Sequence, residues 1–308
     1  MKKITALLAV AGFVFLNPAF IRGSELRERL DSLVEKASSV DAIGEETKAA
    51  KEELVVLGKE AVLALVAQLG TIKVLKKITL IDVLKDIGEE AVPSLLDALA
   101  SEHPRVRRDA AYILAEIGDE RAIPSLVGFL NDEKAELRRI AVKGLGDIKY
   151  QEALSQLIEL SKDSDEGVRR HVVLALGKIG DKEAIPTLLR ALEDEYFSVR
   201  FPASEALVKL GQAAVDPLIS NLGEKGLLTQ SLVIETLGNI GDEKAVEPII
   251  KFLYNNDWSL RAAAVEALGR IGGKRAVDSV KKISRRETNG FVREKIKQAR
   301  EELSAGGK

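Results

Sequence analysis

Two histidines, no cysteine and a large stock of paired carboxylates and arginines are what this chain offers for chemistry. Without cysteine there are no thiolate nucleophiles, thiolate metal ligands or disulfides. His103 stands in Ser101-Glu102-His103-Pro104, and His171 follows Arg169 and Arg170. A catalytic metal needs several histidine and carboxylate ligands gathered at suitable spacing, and two isolated histidines do not supply them. No metal, cofactor or catalytic residue is therefore expected. Asp163, Asp165, Asp194 and Asp257 recur at equivalent points between apolar segments. Carboxylates so placed serve helix caps and solvated turns before they serve acid–base catalysis.

The arginines recur as well. Arg107, Arg138, Arg169, Arg200 and Arg261 occupy one place of a repeating segment, with Gln230 breaking the series. One residue further on, Arg108, Arg139 and Arg170 form a second column that stops at Phe201, Ser231 and Ala262.

The segments that must position these residues have a strict period. Leu57, Ile87, Ile117, Ile148, Ile179, Leu210, Ile240 and Ile271 step by 30 or 31, and all but Ile148 precede a glycine. Repetition at this spacing means stacked supersecondary units. Within each unit a second helix opens on Val106, Leu137, Val168, Val199 or Leu260. The residues four, seven, eight and eleven further on are nearly always apolar, one face of an α-helix. The closing glycine suits a left-handed cap, and Asp119, Asp181 and Asp242 follow it as the next cap. Pro93, Pro124, Pro186, Pro217 and Pro248 recur with the same period, with Ser155 in the vacant slot. Inside a helix a proline costs roughly 3 kcal/mol, so the first helices are expected to begin there or bend one turn in.

Residues 58–273 are read as repeats. Residues 24–57 form an amino-terminal capping pair and 274–308 a carboxy-terminal capping pair with a tail, since terminal units need a polar outer face. Ser24 is expected to cap the first helix, and a turn is expected at Asp41 to Gly44. Residues 1–23 differ in kind: Lys2 and Lys3 precede an apolar run to Phe20, and no acid appears before Glu25. That is the form of a secretory signal peptide, which places the mature chain in the periplasm or outside the cell. An uncleaved amino-terminal anchor is the alternative; the mature chain itself needs no membrane span. Removing the leader takes three of the 46 basic residues and none of the 48 acidic, so the net charge goes from −2 to −5. A mildly acidic surface does not suit nucleic acid.

Val168-Arg169, the alanines and Ala175-Leu176-Gly177-Lys178-Ile179-Gly180-Asp181, with Ala184-Ile185-Pro186, resemble the HEAT-like repeats of phycobilisome (PBS) lyases and the wider HEAT-repeat class. The resemblance covers about residues 58–300. It implies an all-α solenoid: a right-handed superhelix of about nine antiparallel helix pairs, second helices lining the concave side. It also implies that the first arginine column pairs with acidic turn residues of neighbouring units. Deoxyhypusine hydroxylases of the class hold two irons through repeated His-Glu pairs. Here Glu102 precedes His103 in reverse order and Val172 follows His171.

The expected function is that of a non-catalytic scaffold or adaptor binding a protein or peptide partner. The alternative is a lyase- or isomerase-type enzyme acting on a tetrapyrrole-bearing protein. Places two, three, six and ten of the second helices are expected in the groove. Arg108, Tyr112, Arg139, Ile140, Arg170, His171, Leu174 and Phe201 are the candidate contacts, because arginine and aromatic clusters make binding hot spots. The turn carrying Tyr254 and Trp258 is the second candidate surface.

Overall fold

A computed structural model describes residues 23–39, 44–223 and 226–305. The expected leader, apart from Gly23, and most of the expected turn at 41–44 lie outside the described residues. Among those residues eighteen α-helices and no strand are found, and no helix is long and apolar enough to cross a membrane. The fold is the expected all-α solenoid of antiparallel helix pairs.

The chain divides at Arg121–Ala122 into two compact units. The first holds α1 (Gly23–Ala37) with α2 (Glu45–Leu57), α3 (Lys59–Val66) with α4 (Val74–Ile87), and α5 (Val92–Ala98) with α6 (Pro104–Ile117). Because α1 already begins at Gly23, Ser24 lies within the helix and not at the position ahead of it. The second unit opens with α7 (Ile123–Phe129) and α8 (Ala135–Asp147), α9 (Leu154–Leu160) and α10 (Glu166–Ile179), and α11 (Ile185–Ala191) and α12 (Phe197–Leu210). It continues with α13 (Gln212–Ser220) and α14 (Leu227–Ile240), α15 (Val246–Ile250) and α16 (Trp258–Ile271), and α17 (Gly273–Ser284) and α18 (Gly290–Ala305).

The periodic residues explain the junctions. Pro93, Pro124 and Pro186 stand at the first or second helical position, where a missing N–H costs nothing. A short 3₁₀ turn precedes each of these helices and supplies the bend. Where aspartate follows the junction glycine, the glycine is left-handed, as Gly180 is at φ 74°, ψ 20°. The aspartate then caps the 3₁₀ turn: Asp181 accepts from Glu183 N at 2.8 Å. Ile148 is the exception seen in the sequence. The next residue, Lys149, takes the glycine's place at φ 54°, a conformation that costs a side chain about 1 kcal/mol.

The apolar stripe is the core. Val172, Ala175 and Leu176 of α10, and Ala264, Ala267 and Leu268 of α16, are buried. Each large aliphatic of this kind contributes about 1.5–3 kcal/mol. Small residues let consecutive second helices of the second unit touch at their backbones. A Cβ on Gly146 would lie 2.6 Å from that of Ala175, and one on Gly177 2.8 Å from that of Ala206. Gly238 meets Ala267 in the same way. Between α12 and α14, Val208 and Thr236 hold those places and the contact is less extensive. Ser204 Oγ and Thr236 Oγ1 instead share a buried hydrogen bond at 2.7 Å.

Three arginines of the first column form a ladder along the turns, while Arg107 and Arg200 donate to main-chain carbonyls, Ser101 O at 2.7 Å and Asp194 O at 2.8 Å. Arg138 binds Asp163 through Nε and Nη2 at 2.7 and 2.8 Å, Arg169 binds Asp194 at 2.7 and 3.1 Å, and Arg261 binds Glu287 at 2.8 and 3.0 Å. Each Nη1 also donates to main-chain carbonyls of its own turn, as Arg169 does to Asp163 O at 2.9 Å. Gln230 keeps only that second task, donating to Gly223 O at 2.7 Å. Burial, the largest single influence, pushes the Asp163 and Asp194 carboxyls up. The hydrogen bonds from Arg138 and Arg169, a main-chain hydrogen bond to each and the charges of nearby arginines together outweigh it, and both groups sit below the ordinary carboxylate range.

Candidate functional site

The ladder arginines and the apolar stripe are consumed by the fold, so a site must come from the remaining faces of the second helices. Counting the opening Val or Leu of each helix as place zero, the stripe at places four, seven, eight and eleven is centred near 30°. Place two lies at 200°, nearly opposite it, whereas place three lies at 300°, only about 90° away. The seams between neighbouring second helices are there.

That geometry sorts the expected contacts. Ile140, at place three, is 9% exposed and belongs to the seam, so it is withdrawn as a surface contact. In the first unit Asp109, at the same place, is buried. It accepts from Arg108 Nε and Nη2 at 2.9 and 2.7 Å and from Gly70 N at 3.2 Å, and it pairs with Lys77 at 3.2 Å. A buried carboxylate requires such partners. Arg108, expected to be free of the fold, is therefore structural. Tyr112 is half-buried on the same helix.

Within the second unit Arg139, Arg170, His171, Leu174 and Phe201 come together on the neighbouring helices α8, α10 and α12. Arg170 is exposed and has no carboxylate partner among the described residues. Arg139 approaches Asp165 at 3.5 Å, but the geometry is poor and its Nε forms no hydrogen bond. His171 Nδ1 lies 2.6 Å from Gly167 O, which selects the tautomer with a proton on Nδ1. Burial pushes the imidazole's pKa down; the Gly167 carbonyl opposes this, and Arg170, Arg139 and Lys143 reinforce it. Leu174 is half-buried, and Phe201 stacks on Phe197 with ring centroids 5.7 Å apart.

Phe201 leads to a larger feature. All eight large apolar side chains exposed among the described residues of this unit lie at the amino-terminal ends of α12, α14, α16 and α18 or in the turns before them. They are Tyr196, Phe197 and Phe201, then Leu227 and Leu228, then Tyr254 and Trp258, and finally Phe291. Phe197 is 65% and Leu228 73% exposed. Trp258 and Phe291 meet edge to face at 5.4 Å, and Lys295 stands over the Phe291 ring at 5.3 Å. In the two preceding helices the same register carries Glu136 and Arg139, then Glu166 and Arg170. Glu166 is engaged by Ser198 Oγ at 2.5 Å.

The sequence reading missed Phe197, Leu227, Leu228 and Phe291, and reached Tyr254 and Trp258 only as a turn. The signal was present. These helices begin up to two residues before place zero, and at 100° per residue the place two before lies about 130° from the centre of the stripe, on the outward side. Among the described residues no group of three or more histidine, aspartate or glutamate side chains could hold a metal ion. His103 is exposed at the start of α6.

A family profile described as HEAT repeats matches residues 62–142, 128–208, 168–226 and 215–300. Among solved structures, Kap95p from a complex with RanGDP superposes with a TM-score of 0.65 at 14% identity, over 92% of this chain and 46% of that one. YibA of E. coli gives 0.52 at 20% identity, over 85% and 97% of the two chains. The CpcE–CpcF phycocyanin lyase of Nostoc sp. PCC7120 gives 0.37 at 20% identity, over 95% and 98%. A comparison with curated proteins finds no match.

Proposed function

Since the chain belongs to the HEAT-repeat family, we propose that it is a non-catalytic scaffold of the extracytoplasmic space that holds a protein or peptide partner on the second helices of its second unit. One observation carries this reading. In each of four consecutive second helices one exposed apolar side chain, Phe197, Leu227, Trp258 or Phe291, stands one or two residues ahead of place zero, where the fold needs none of them. Scattered exposed apolar residues are ordinary, but a contiguous patch signals a binding surface. Kap95p, which binds RanGDP, supports protein binding as a use of this fold. The leader-like residues 1–23 support the location.

Fractionation of the producing cell with mass analysis of the native chain tests both parts. The expected result is a chain beginning between Ala19 and Glu25, outside the cytoplasm, migrating in a complex well above the 33.4 kDa of the full sequence. A cytosolic chain beginning at Met1 contradicts the location. A chain migrating alone under every condition in which the cell makes it contradicts the scaffold.

A further inference from the structure

We propose that the apolar column of the second unit, with Arg139 and Arg170 at one end, binds an extended proline-rich segment of a partner protein whose end over the arginines is acidic. The inference rests on the scaffold reading and adds the occupant's chemistry and conformation.

Packed helices stand about 8–10 Å apart. The glycine–alanine contacts hold α8 to α10, α10 to α12 and α14 to α16 at the close end of that range. The Val208–Thr236 seam is looser. The column therefore offers apolar side chains at intervals of about 8–10 Å. A polyproline II helix advances about 3.1 Å per residue with three residues per turn, so it presents the same face every 9 Å or so. One turn per second helix keeps the two in step, and the four steps from α10 to α18 need about 10–13 residues. A β-strand repeats its face every 6.6 Å or so and falls out of register. Strand addition also needs an open sheet edge, and the described residues contain no strand. Paired rings such as Phe197–Phe201 and Trp258–Phe291 present the aromatic surface on which proline segments dock.

Charge fixes the composition of one end. Arg170 is exposed without a carboxylate partner among the described residues, and the part-exposed Arg139 holds Asp165 only at 3.5 Å. The other basic side chains near them are committed: Lys143 and Lys178 share Asp147, and the His171 ring is turned to Gly167 O. Carboxylates of an incoming segment would pair with Arg170 and add to the loose Asp165 contact of Arg139, and a charge-assisted bond is about twice as strong as a neutral one. Phe197, Leu227, Leu228, Trp258 and Phe291 themselves are apolar, so the part of the segment that lies on them is uncharged.

Fluorescence anisotropy on the full chain provides the test. The probes are a labelled peptide, Asp-Asp-Pro-Leu-Pro-Pro-Leu-Pro-Pro-Leu-Pro-Pro, its reversed sequence, its Asn-Asn version, and an amphipathic heptad peptide of equal charge. One orientation of the acidic proline peptide is expected to bind. Leu228→Ser with Trp258→Ser should weaken it at least about tenfold, the loss expected for truncated hot-spot side chains. Arg170→Glu, a change at an exposed position, should weaken the Asp-Asp peptide about tenfold and leave the Asn-Asn version unaffected. Circular dichroism confirms that each variant is folded. Binding by neither orientation, equal binding by the folded variants, or tighter binding of the heptad peptide overturns the proposal. So does a dimer in sedimentation that the Leu228→Ser, Trp258→Ser variant dissolves, because a second copy would then be the occupant. A chain found in a large native complex that nevertheless ignores the proline peptides loses this proposal and keeps the scaffold reading. A chain migrating alone loses both.

Discussion

Replacing Arg169 by methionine is expected to lower the stability of the second unit by about 3–5 kcal/mol, the cost of leaving one partner of a buried ion pair uncompensated. Asp194 would lose both bonds from Nε and Nη2, and the carbonyl of Asp163 would lose Nη1. Both side chains of the pair are about nine-tenths buried. Removing both partners, as Arg169→Met with Asp194→Leu, should recover much of the loss, since an apolar pair of similar volume often substitutes without penalty. Urea unfolding followed by circular dichroism measures both variants. A loss below about 1 kcal/mol for the single change would mean the rung behaves as a surface ion pair.

The same ladder gives the chain a dependence on pH. The Arg261 hydrogen bonds, more than offsetting burial, hold Glu287 below the carboxylate range, as Arg138 and Arg169 hold Asp163 and Asp194. A carboxyl whose folded value is depressed contributes its stabilisation above its unfolded value, about 4, and loses it as pH falls through the folded value. Urea midpoints should therefore fall from about pH 5 downward, and fall less steeply in the Arg169→Met variant.

Gly238→Val is expected to cost about 3 kcal/mol, the upper end of the range for overpacking. A Cβ at Gly238 would stand 2.6 Å from Ala267 Cα and 2.7 Å from its Cβ. The first of these atoms is backbone, so α14 and α16 would have to part. The chain already shows where valine is accommodated: Val208 holds the equivalent place in α12, facing Thr236, where the seam is less extensive. Thermal unfolding compares the variant with the parent. A change within about 0.5 kcal/mol would show that the seam opens freely, and the spacing argued for the column would lose its basis.

Much of this architecture is legible in the sequence because it is periodic. Glycine, proline and aspartate each recur where one backbone demand recurs, and the first arginine column recurs where a turn needs closing. What the sequence concealed depends on how close neighbouring helices come. Place three reads as surface when a helix is considered alone, yet Gly146 and Ala175 bring α8 and α10 together so closely that Ile140 is covered. Arg108 reads as spare until Asp109 is seen buried beside it, bound also to Gly70 and Lys77. Phe197, Leu227 and Trp258 stand just ahead of the first stripe residue, and a count that begins at place zero passes over them. The leader and the location rest on residues 1–23, and no packing argument reaches those from the repeats.

Photo-crosslinking in the producing cell tests the central claim most directly. p-Benzoylphenylalanine at position 228, in the middle of the apolar column, is compared with the same probe at position 190, exposed on the first helix α11. The account predicts a discrete covalent adduct with another protein from position 228 and none from position 190. Adducts from position 190 alone, or none from position 228 while the chain migrates in its native complex, would contradict it.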